Sequence, residues 1–493
     1  MLEKSKRKKV VGHAQRDLEF ICRQILRFAR MKPNELIAHI RKHREEAFCT
    51  IPRPGGGLLQ CGVLGWEKFS SLVDRVIDFE PKLARRVELE QVKKAVIDSF
   101  SQRVLKEKRE LDLETCEQIL RDAAKKSKKS LQDTEHYLPC VLFLRGGPDE
   151  FSVGPVTFVR RIKFFRDRKQ ALRQSAVKNE AAHIEQVNEA VEHGFPRERA
   201  ATTEQSRKFA RGLQARAMKT YRGYPWVARV RVVNCDHETS KELAAKAVET
   251  ALHVIRVFLG AYHTRRVRLA WSRGGALRTA GLWSDSEDVI HVQIGSQSIG
   301  PVGFENWHDV LIQDGGHELK IFGSALASLV DPKEITKLHA RFIDAINWFG
   351  DAATDTEPTA SVVKYVSSIE RLLFGEYEPG RKKAFPNRVE KILKAFDCDG
   401  SKHVHADALK VYIVRSTLLH GASSPRDAEA RKLAVVAEEL ARQCLFCAAQ
   451  LYPMMKCAYK DLEPKKLEKV MKKIDREGLE PLARKAGWSR TSR

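Results

Sequence analysis

Helical periodicity of apolar residues dominates the segment from residue 331 to residue 451 and restricts the folds open to it. In five successive stretches, apolar side chains recur every three or four residues. This spacing places them on one face of an α-helix. Short polar stretches separate the five segments. Because each segment must bury its apolar face against the others, the pattern predicts a helical bundle of roughly 120 residues.

Proline and small polar residues predict where some of these helices begin. Asp331 followed by Pro332 is typical of an N-cap with proline at the first helical position. Ser424 followed by Pro425 repeats this arrangement at the fifth helix. The third helix is expected to begin after Pro386. The fourth helix is predicted to bury a stripe formed by Leu409, Ile413, Ser416 and His420.

The end of the fourth helix carries an arginine and a histidine separated by four residues. Arg415 is a permanent cation and His420 titrates near neutral pH, so the pair could stabilise a charged phosphate and move protons. Five steps along a straight helix rotate by about 140°, so the two side chains share a face only if the helix ends or bends before His420. Gly421 favours such an end, through a left-handed cap. The ordinary alternative is a surface arginine followed by a capping histidine.

A bundle whose fourth helix ends in this motif resembles the HEPN superfamily. The stretch Ala345–Phe374 is similar to the Apea-like branch of that family, and the resemblance covers roughly residues 315–455. It implies a metal-independent ribonuclease that works as a dimer and needs no cofactor. Members are typically prokaryotic and often belong to phage-defence or toxin systems. The residue after the arginine is frequently Asn, Asp or His in the family, whereas this chain has Ser416.

The resemblance implies an RNA endonuclease in which a 2′-hydroxyl attacks the adjacent phosphate. His420 is expected to act as general acid or base, and Arg415 to stabilise charge on the phosphate oxygens. Glu370 lies at the edge of the second helix's apolar stripe and is expected to orient Arg415 or to raise the pKa of His420. A salt bridge from Glu370 to Arg371, Lys364 or another surface cation is the alternative. The competing function is a non-catalytic HEPN module that binds nucleic acid or a nucleotide and acts as a regulator.

The charge balance predicts a polyanionic partner. The 493 residues carry 88 Lys and Arg against 64 Asp and Glu, a net charge of +24, which attracts nucleic acids. Residues 160–166 interleave cations with aromatic side chains, an arrangement suited to phosphate contact and base stacking. The expected partners are RNA, with tRNA as one candidate, and a second copy of the chain. No membrane partner is expected, because no apolar run is long enough to span a bilayer.

The whole chain is predicted to be an α+β multi-domain protein. Residues 1–135 are expected to be mostly helical, residues 136–315 to form a small α+β domain, residues 316–455 to form the bundle, and residues 456–493 to form a basic helical tail. Within the middle domain, a basic helical arm is expected near residues 166–218.

Local signals give further detail within the middle domain. Cys140–Leu144 and Phe151–Arg161 are predicted to pair as a hairpin around Gly146 and Gly147. Thr239 is predicted to open a helix with a capping box. The ten cysteines show no paired zinc-ligand spacing, which favours a reducing cytoplasm.

Overall fold

A computed structural model describes most of the chain. The described residues are 2–192, 202–270, 278–284, 290–296, 305–333, 336–375, 380–396, 403–422, 424, 428–458 and 464–487. They are mostly helical with a small sheet region, in agreement with the predicted α+β class. Contacts between Cα atoms divide the chain into two compact units, Met1–Thr134 with Val232–Leu243, and Glu135–Arg231 with Ala244–Arg493.

The first unit is helical around one apolar core. Its helices are α1 (Leu2–Ala29), α2 (Pro33–Lys42), α3 (Gly62–Phe79), α4 (Leu89–Phe100) and α5 (Leu113–Lys129). Two short strands, β1 (Thr50–Pro52) and β2 (Leu58–Gln60), pair antiparallel. Leu18, Phe69, Phe100 and Ile119 are fully buried where α1, α3, α4 and α5 meet. Burial of these apolar faces is the main stabilising term for such a unit.

A five-stranded sheet and a helical arm precede the bundle. The strands are β3 (Gln132–Val141), β4 (Glu150–Val153), β5 (Val156–Arg160), β6 (Trp226–Cys235) and β7 (Arg268–Leu269). Their order in the sheet is β4-β5-β6-β3-β7. The arm comprises α6 (Arg161–Asp167), α7 (Lys169–Glu192) and α8 (Thr203–Arg222), in the region predicted to be a basic helical arm.

The remaining elements lead into and form the bundle. After β6 come α9 (His237–Leu259), α10 (Ala261–Thr264), the antiparallel pair β8 (Arg278–Ser284) and β9 (Ile290–Ser296), and α11 (Trp307–Asp309). The bundle helices are α12 (Gly316–Val330), α13 (Lys337–Thr354), α14 (Pro358–Leu373), α15 (Arg381–Ala395), α16 (Val404–Leu419) and α17 (Ala428–Ala458). Helix α14 packs against α13, α16 and α17 and is therefore central. Two further helices, α18 (Pro464–Glu477) and α19 (Glu480–Lys485), follow.

The predicted hairpin around Gly146 and Gly147 is wrong. The hairpin joins β4 to β5 instead, with Val153 opposite Val156, while β3 pairs with β7. The two glycines pack closely against the indole of Trp307, and a Cβ atom on Gly147 would lie 2.5 Å from the ring. They are therefore required by close packing rather than by a strand turn.

Several helix starts differ from the predicted ones because other residues supply the caps. Asp331 ends α12, and the hydroxyl of Thr336 caps α13 by accepting a hydrogen bond from the His339 amide. Helix α9 is capped by Asp236, whose carboxylate accepts from the Thr239 amide at 2.8 Å, so Thr239 lies inside the helix.

Two further predicted starts concern proline. Helix α15 begins at Arg381, and Pro386 lies within it rather than before it. Pro425 lies outside the described residues, and α17 begins at Ala428.

The buried face of α16 is not the predicted one. The helix buries Val404, Ala408, Val411 and Tyr412. Ile413, which was expected on the stripe, is 37% exposed. Helical spacing continues the observed stripe to Arg415, because residues 404, 408, 411 and 415 follow one another at intervals of four, three and four. Arg415 and Ser416 are both half-buried at the end of this stripe, whereas His420 is exposed and does not continue it.

The predicted basic tail includes a helix that docks on the bundle. Leu467, Met471 and Ile474 of α18 are buried. The guanidinium of Arg388 on α15 is 1% exposed and lies 3.1 Å from a carboxylate oxygen of Glu468. It also lies 3.0 Å from the carboxylate of Asp475. A buried cation held by two carboxylates fixes α18 to α15.

Candidate functional site

The candidate site is centred on a carboxylate held between two arginines. Glu370 lies in the last turn of α14, and its side chain is 11% exposed. One carboxylate oxygen accepts a hydrogen bond from Arg415 at 3.1 Å. The other accepts from Arg381 at 3.3 Å. The pairing of helices α14 and α16 therefore places Glu370 against Arg415, whereas the alternative partner Arg371 binds Asp344 instead, at 2.6 Å.

Arg415 keeps hydrogen-bonding capacity beyond its contact with Glu370. Its side chain is 23% exposed, and its Nε is buried without a hydrogen-bond partner among the described residues. The guanidinium carbon lies 5.8 Å from the ring centroid of Tyr412. An arginine has five N–H donors in a planar fork, which suits bidentate contact with phosphate. Arg415 is thus anchored at one edge and retains further donors.

Arg381 is a site residue that the sequence analysis did not assign. It begins α15, directly after Gly380, whose φ of +77° lies in the left-handed region. Its guanidinium carbon lies 5.1 Å from the centroid of Phe374. In the sequence, Arg381 is only one member of a basic run with Lys382 and Lys383. The clue available was its position ahead of a helix that must pack against α14.

His420 lies at the end of α16 in a left-handed helix cap. Gly421 has a φ of +68°, and its amide donates to the Leu418 carbonyl at 3.2 Å. The Ala422 amide donates to the Thr417 carbonyl at 2.8 Å. These two bonds form the Schellman arrangement that ends many helices at glycine. The cap leaves the imidazole of His420 exposed.

No hydrogen bond or ion pair joins Arg415 to His420 among the described residues. The helix continues to Leu419, so the rotation between the two residues is retained. Among the described residues, the His420 ring makes no recorded hydrogen bond or ion pair, and Glu370 contacts Arg415 but not His420. Ser416 is half-buried, and its carbonyl accepts from the His420 amide at 3.1 Å. The predicted residues thus divide into a paired set, Glu370 with Arg415, and an exposed histidine.

Aromatic rings support the paired set. Phe385 stacks on Phe374 with centroids 6.2 Å apart and contacts Tyr412 at 4.9 Å. Both Phe385 and Phe374 are buried. Because Arg381 and Arg415 each lie beside a ring of this cluster, their guanidinium planes are positioned by packing as well as by Glu370.

The described residues contain no group of three or more His, Cys, Asp or Glu side chains that could hold a metal ion. Among the helices described, none is long and apolar enough to cross a membrane. Comparisons of this chain with protein-family models, with curated proteins and with solved structures give no match.

Proposed function

We propose that this protein is a metal-independent RNA endonuclease of the HEPN type. The observation that carries the proposal is the arrangement on α16: Arg415 is anchored by Glu370 and its side chain is 23% exposed, and His420 is exposed where the same helix ends. The net charge of +24 supports a polyanionic substrate. The setting proposed with it is cytoplasmic phage defence or a toxin-like role in a prokaryote.

The proposed reaction is an internal transesterification. The 2′-oxygen of one nucleotide forms a bond to the adjacent phosphorus, and the bond from phosphorus to the 5′-oxygen breaks. The products are a 2′,3′-cyclic phosphate and a 5′-hydroxyl. A neutral histidine takes the 2′-hydroxyl proton, and a protonated histidine gives one to the leaving oxygen. Arg415 stabilises charge on the non-bridging oxygens.

A dimer would supply both proton-transfer groups. One chain offers a single His420 at the motif, whereas the reaction needs a base and an acid. A two-fold axis that brings the ends of two α16 helices together would place two histidines and two arginines around one phosphate. His420 is exposed at the end of α16 and is therefore accessible to a second copy, so both copies would contribute both residues to one site.

The decisive experiment measures RNA cleavage by the purified full chain in EDTA. His420→Ala and Arg415→Ala should each reduce the rate by about 100-fold or more. Matched controls are His405→Ala, at the other end of α16, and Arg371→Ala, on α14 beside Glu370. Both controls should cleave at nearly the original rate. Activity that survives both site substitutions, or that needs a divalent metal, would reject the ribonuclease proposal.

Subunit mixing tests the shared site. Light scattering of the active protein should show at least a dimer. Mixing His420→Ala chains with Arg415→Ala chains should restore little activity if each site needs both residues from both copies. A monomer with full activity would contradict the shared site while leaving the reaction type open to the EDTA test.

The second candidate is a non-catalytic HEPN module that binds nucleic acid or a nucleotide and regulates another process. The pairing of Arg415 with Glu370 favours it to a degree, because the carboxylate already neutralises the arginine in this state. The two candidates differ in one measurement. A regulatory module would bind RNA or a nucleotide with an affinity that depends on Arg415, and would leave the RNA intact under all tested conditions.

A further inference from the structure

A basic cleft lies on the helical arm, among α6, α7 and α8. Its volume is about 640 Å³, and it is lined by Arg161, Ile162, Phe165, Lys169, Leu172, Arg173, Met218 and Arg222. The side chain of Arg161 donates to the Arg222 carbonyl, and its amide donates to the Pro225 carbonyl at 2.9 Å. These bonds tie the start of α6 to the end of α8, so the cleft has a fixed wall.

Several cations of the arm outside this cleft are paired with carboxylates. Away from the cleft, Lys163 lies 2.6 Å from Asp167, and Arg168 lies 3.2 Å from Glu135. Arg207 and Arg211 both bind Glu180, at 2.9 and 3.1 Å.

Within the cleft, no carboxylate of the described residues forms an ion pair with any of the four lining cations, Arg161, Lys169, Arg173 and Arg222. The cleft therefore gathers four cations that no carboxylate of the described residues neutralises, so positive charge is concentrated there. Concentrated positive charge attracts a polyanion.

Apolar side chains lie between these cations. Ile162 is 75% exposed although it is a large hydrophobic residue. Phe165 is half-buried and contacts Phe164 edge to face, with centroids 5.5 Å apart. Leu172 and Met218 are also half-buried within the lining. A surface that alternates cations with apolar and aromatic side chains matches a single strand of nucleic acid, whose phosphates and unpaired bases alternate along the chain.

We propose that this cleft binds a single-stranded segment of RNA and holds the substrate outside the Arg415 site. The choice of RNA over other single strands rests on the proposed ribonuclease function. A duplex would present only phosphates and would leave the apolar lining unused. An anionic membrane would require a continuous apolar surface that projects from the protein, whereas Phe165, Leu172 and Met218 are half-buried between the cations.

The test measures binding of a fluorescein-labelled single-stranded RNA by fluorescence anisotropy. The protein is the full chain carrying His420→Ala, so that cleavage does not consume the probe. Lys169→Gln with Arg173→Gln should weaken binding at least 10-fold. The dependence of log affinity on log salt should also become less steep by about 1.4, since two phosphate contacts on a single strand are lost. Phe165→Leu, which keeps the apolar volume, should weaken binding by about threefold to tenfold through lost base stacking.

Arg207→Gln with Arg211→Gln is the matched control. It removes the same charge from the same arm, but from cations that Glu180 already neutralises, so binding should change by less than about threefold. Equal losses in the two double variants would overturn the proposal, because the effect would then follow net charge alone. Equally tight binding of a duplex RNA would overturn the assignment to a single strand.

Three further outcomes distinguish this proposal from a lipid site and from the proposed ribonuclease reaction. The protein could instead bind phosphatidylserine vesicles. If the double variant Lys169→Gln with Arg173→Gln loses vesicle binding but keeps RNA binding, the cleft is a lipid site and the proposal is wrong. If RNA binds through the cleft while the unmodified chain never cleaves it, the cleft proposal is supported and the ribonuclease proposal is rejected. If RNA is cleaved but the cleft variants bind it normally, the reaction stands and the cleft fails.

Discussion

The C-terminal end of α14 binds arginines in two different ways. At the helix C-terminus, Arg341 donates to the carbonyls of Arg371 and Phe374, and Arg388 donates to the carbonyl of Leu373 at 2.9 Å. Backbone carbonyls at a helix end lack partners within the helix and carry the negative end of its dipole. These buried cations satisfy the carbonyls and stabilise the dipole, so they serve the fold.

One residue before this region, Glu370 holds a different kind of arginine. Arg388 is 1% exposed and also contacts the carboxylates of Glu468 and Asp475. Arg415 is 23% exposed and contacts one carboxylate. The difference teaches that the number of satisfied donors, not the presence of an arginine, separates a structural cation from one able to bind phosphate.

The largest expected effect is on stability at the structural arginine. Arg388→Ala leaves Glu468 and Asp475 without their buried cation, and it should lower the free energy of unfolding by about 3–5 kcal/mol. Urea denaturation of the full chain measures this. Arg371→Ala is the control, because its pair with Asp344 is more exposed, and should cost about 1 kcal/mol or less. A loss below 1 kcal/mol for Arg388→Ala would remove the contrast between the two regions.

The next effect is on activity at the candidate site. Arg415→Lys keeps the charge but loses the planar fork, so RNA cleavage should fall roughly 10- to 100-fold. The free energy of unfolding should change by about 1 kcal/mol or less, since Arg415 is anchored through one partly exposed contact. Initial rates in EDTA and urea denaturation of the same preparations check both values. A large loss of stability with unchanged cleavage would place Arg415 with the structural arginines.

Local sequence signals predicted the features that local physics determines. The five helical stretches expected from the spacing of apolar residues correspond to α13, α14, α15, α16 and α17. Gly421 was expected to end the fourth helix, and it does so with a positive φ. In each case, residues within one or two turns supply the cause.

Features that depend on distant residues were not predictable in this way. Arg415 continues the buried stripe of α16 because Glu370, 45 residues earlier on another helix, supplies its counter-charge. A pattern of apolar residues cannot identify a half-buried arginine, since the arginine itself breaks the pattern. The predicted buried stripe therefore included Ile413 and His420 in place of Arg415. Arg381 was missed for the same reason, because its partner lies on a different helix.

A smaller effect is expected at Glu370. Glu370→Gln keeps the shape but leaves Arg415 and Arg381 without their carboxylate, so cleavage should fall about fivefold through looser positioning of Arg415. The pH–rate profile should keep its shape, because Glu370 does not contact His420. Rates measured from pH 5 to pH 9 test this. A shift of the optimum to lower pH would instead assign Glu370 to the control of the His420 pKa.

The smallest effect concerns two histidines that repeat the contrast between the arginines. His253 is buried on α9, with Nδ1 2.6 Å from the Arg256 guanidinium, whereas His420 is exposed. Desolvation and then the charge of Arg256 hold the pKa of His253 well below its usual value. The folded state therefore keeps His253 neutral at pH values where the unfolded chain binds a proton. Stability is retained above the unfolded pKa of about 6.5 and is lost as the pH falls below it.

For one such histidine, the loss in the free energy of unfolding between pH 7.5 and pH 6 is about 0.8 kcal/mol. The His253→Gln variant cannot take up this proton. Its free energy of unfolding, measured by urea denaturation, should therefore change less between the two pH values than that of the unmodified chain, by that amount. His420→Gln is the control, because it replaces a histidine that the fold leaves exposed, and it should leave the difference unchanged. The comparison of variants also removes the contribution of Glu249 and Asp351, whose raised pKa values act with the opposite sign. An equal pH dependence in both variants would mean that His253 is protonated within the fold, and that burial beside Arg256 does not keep it neutral.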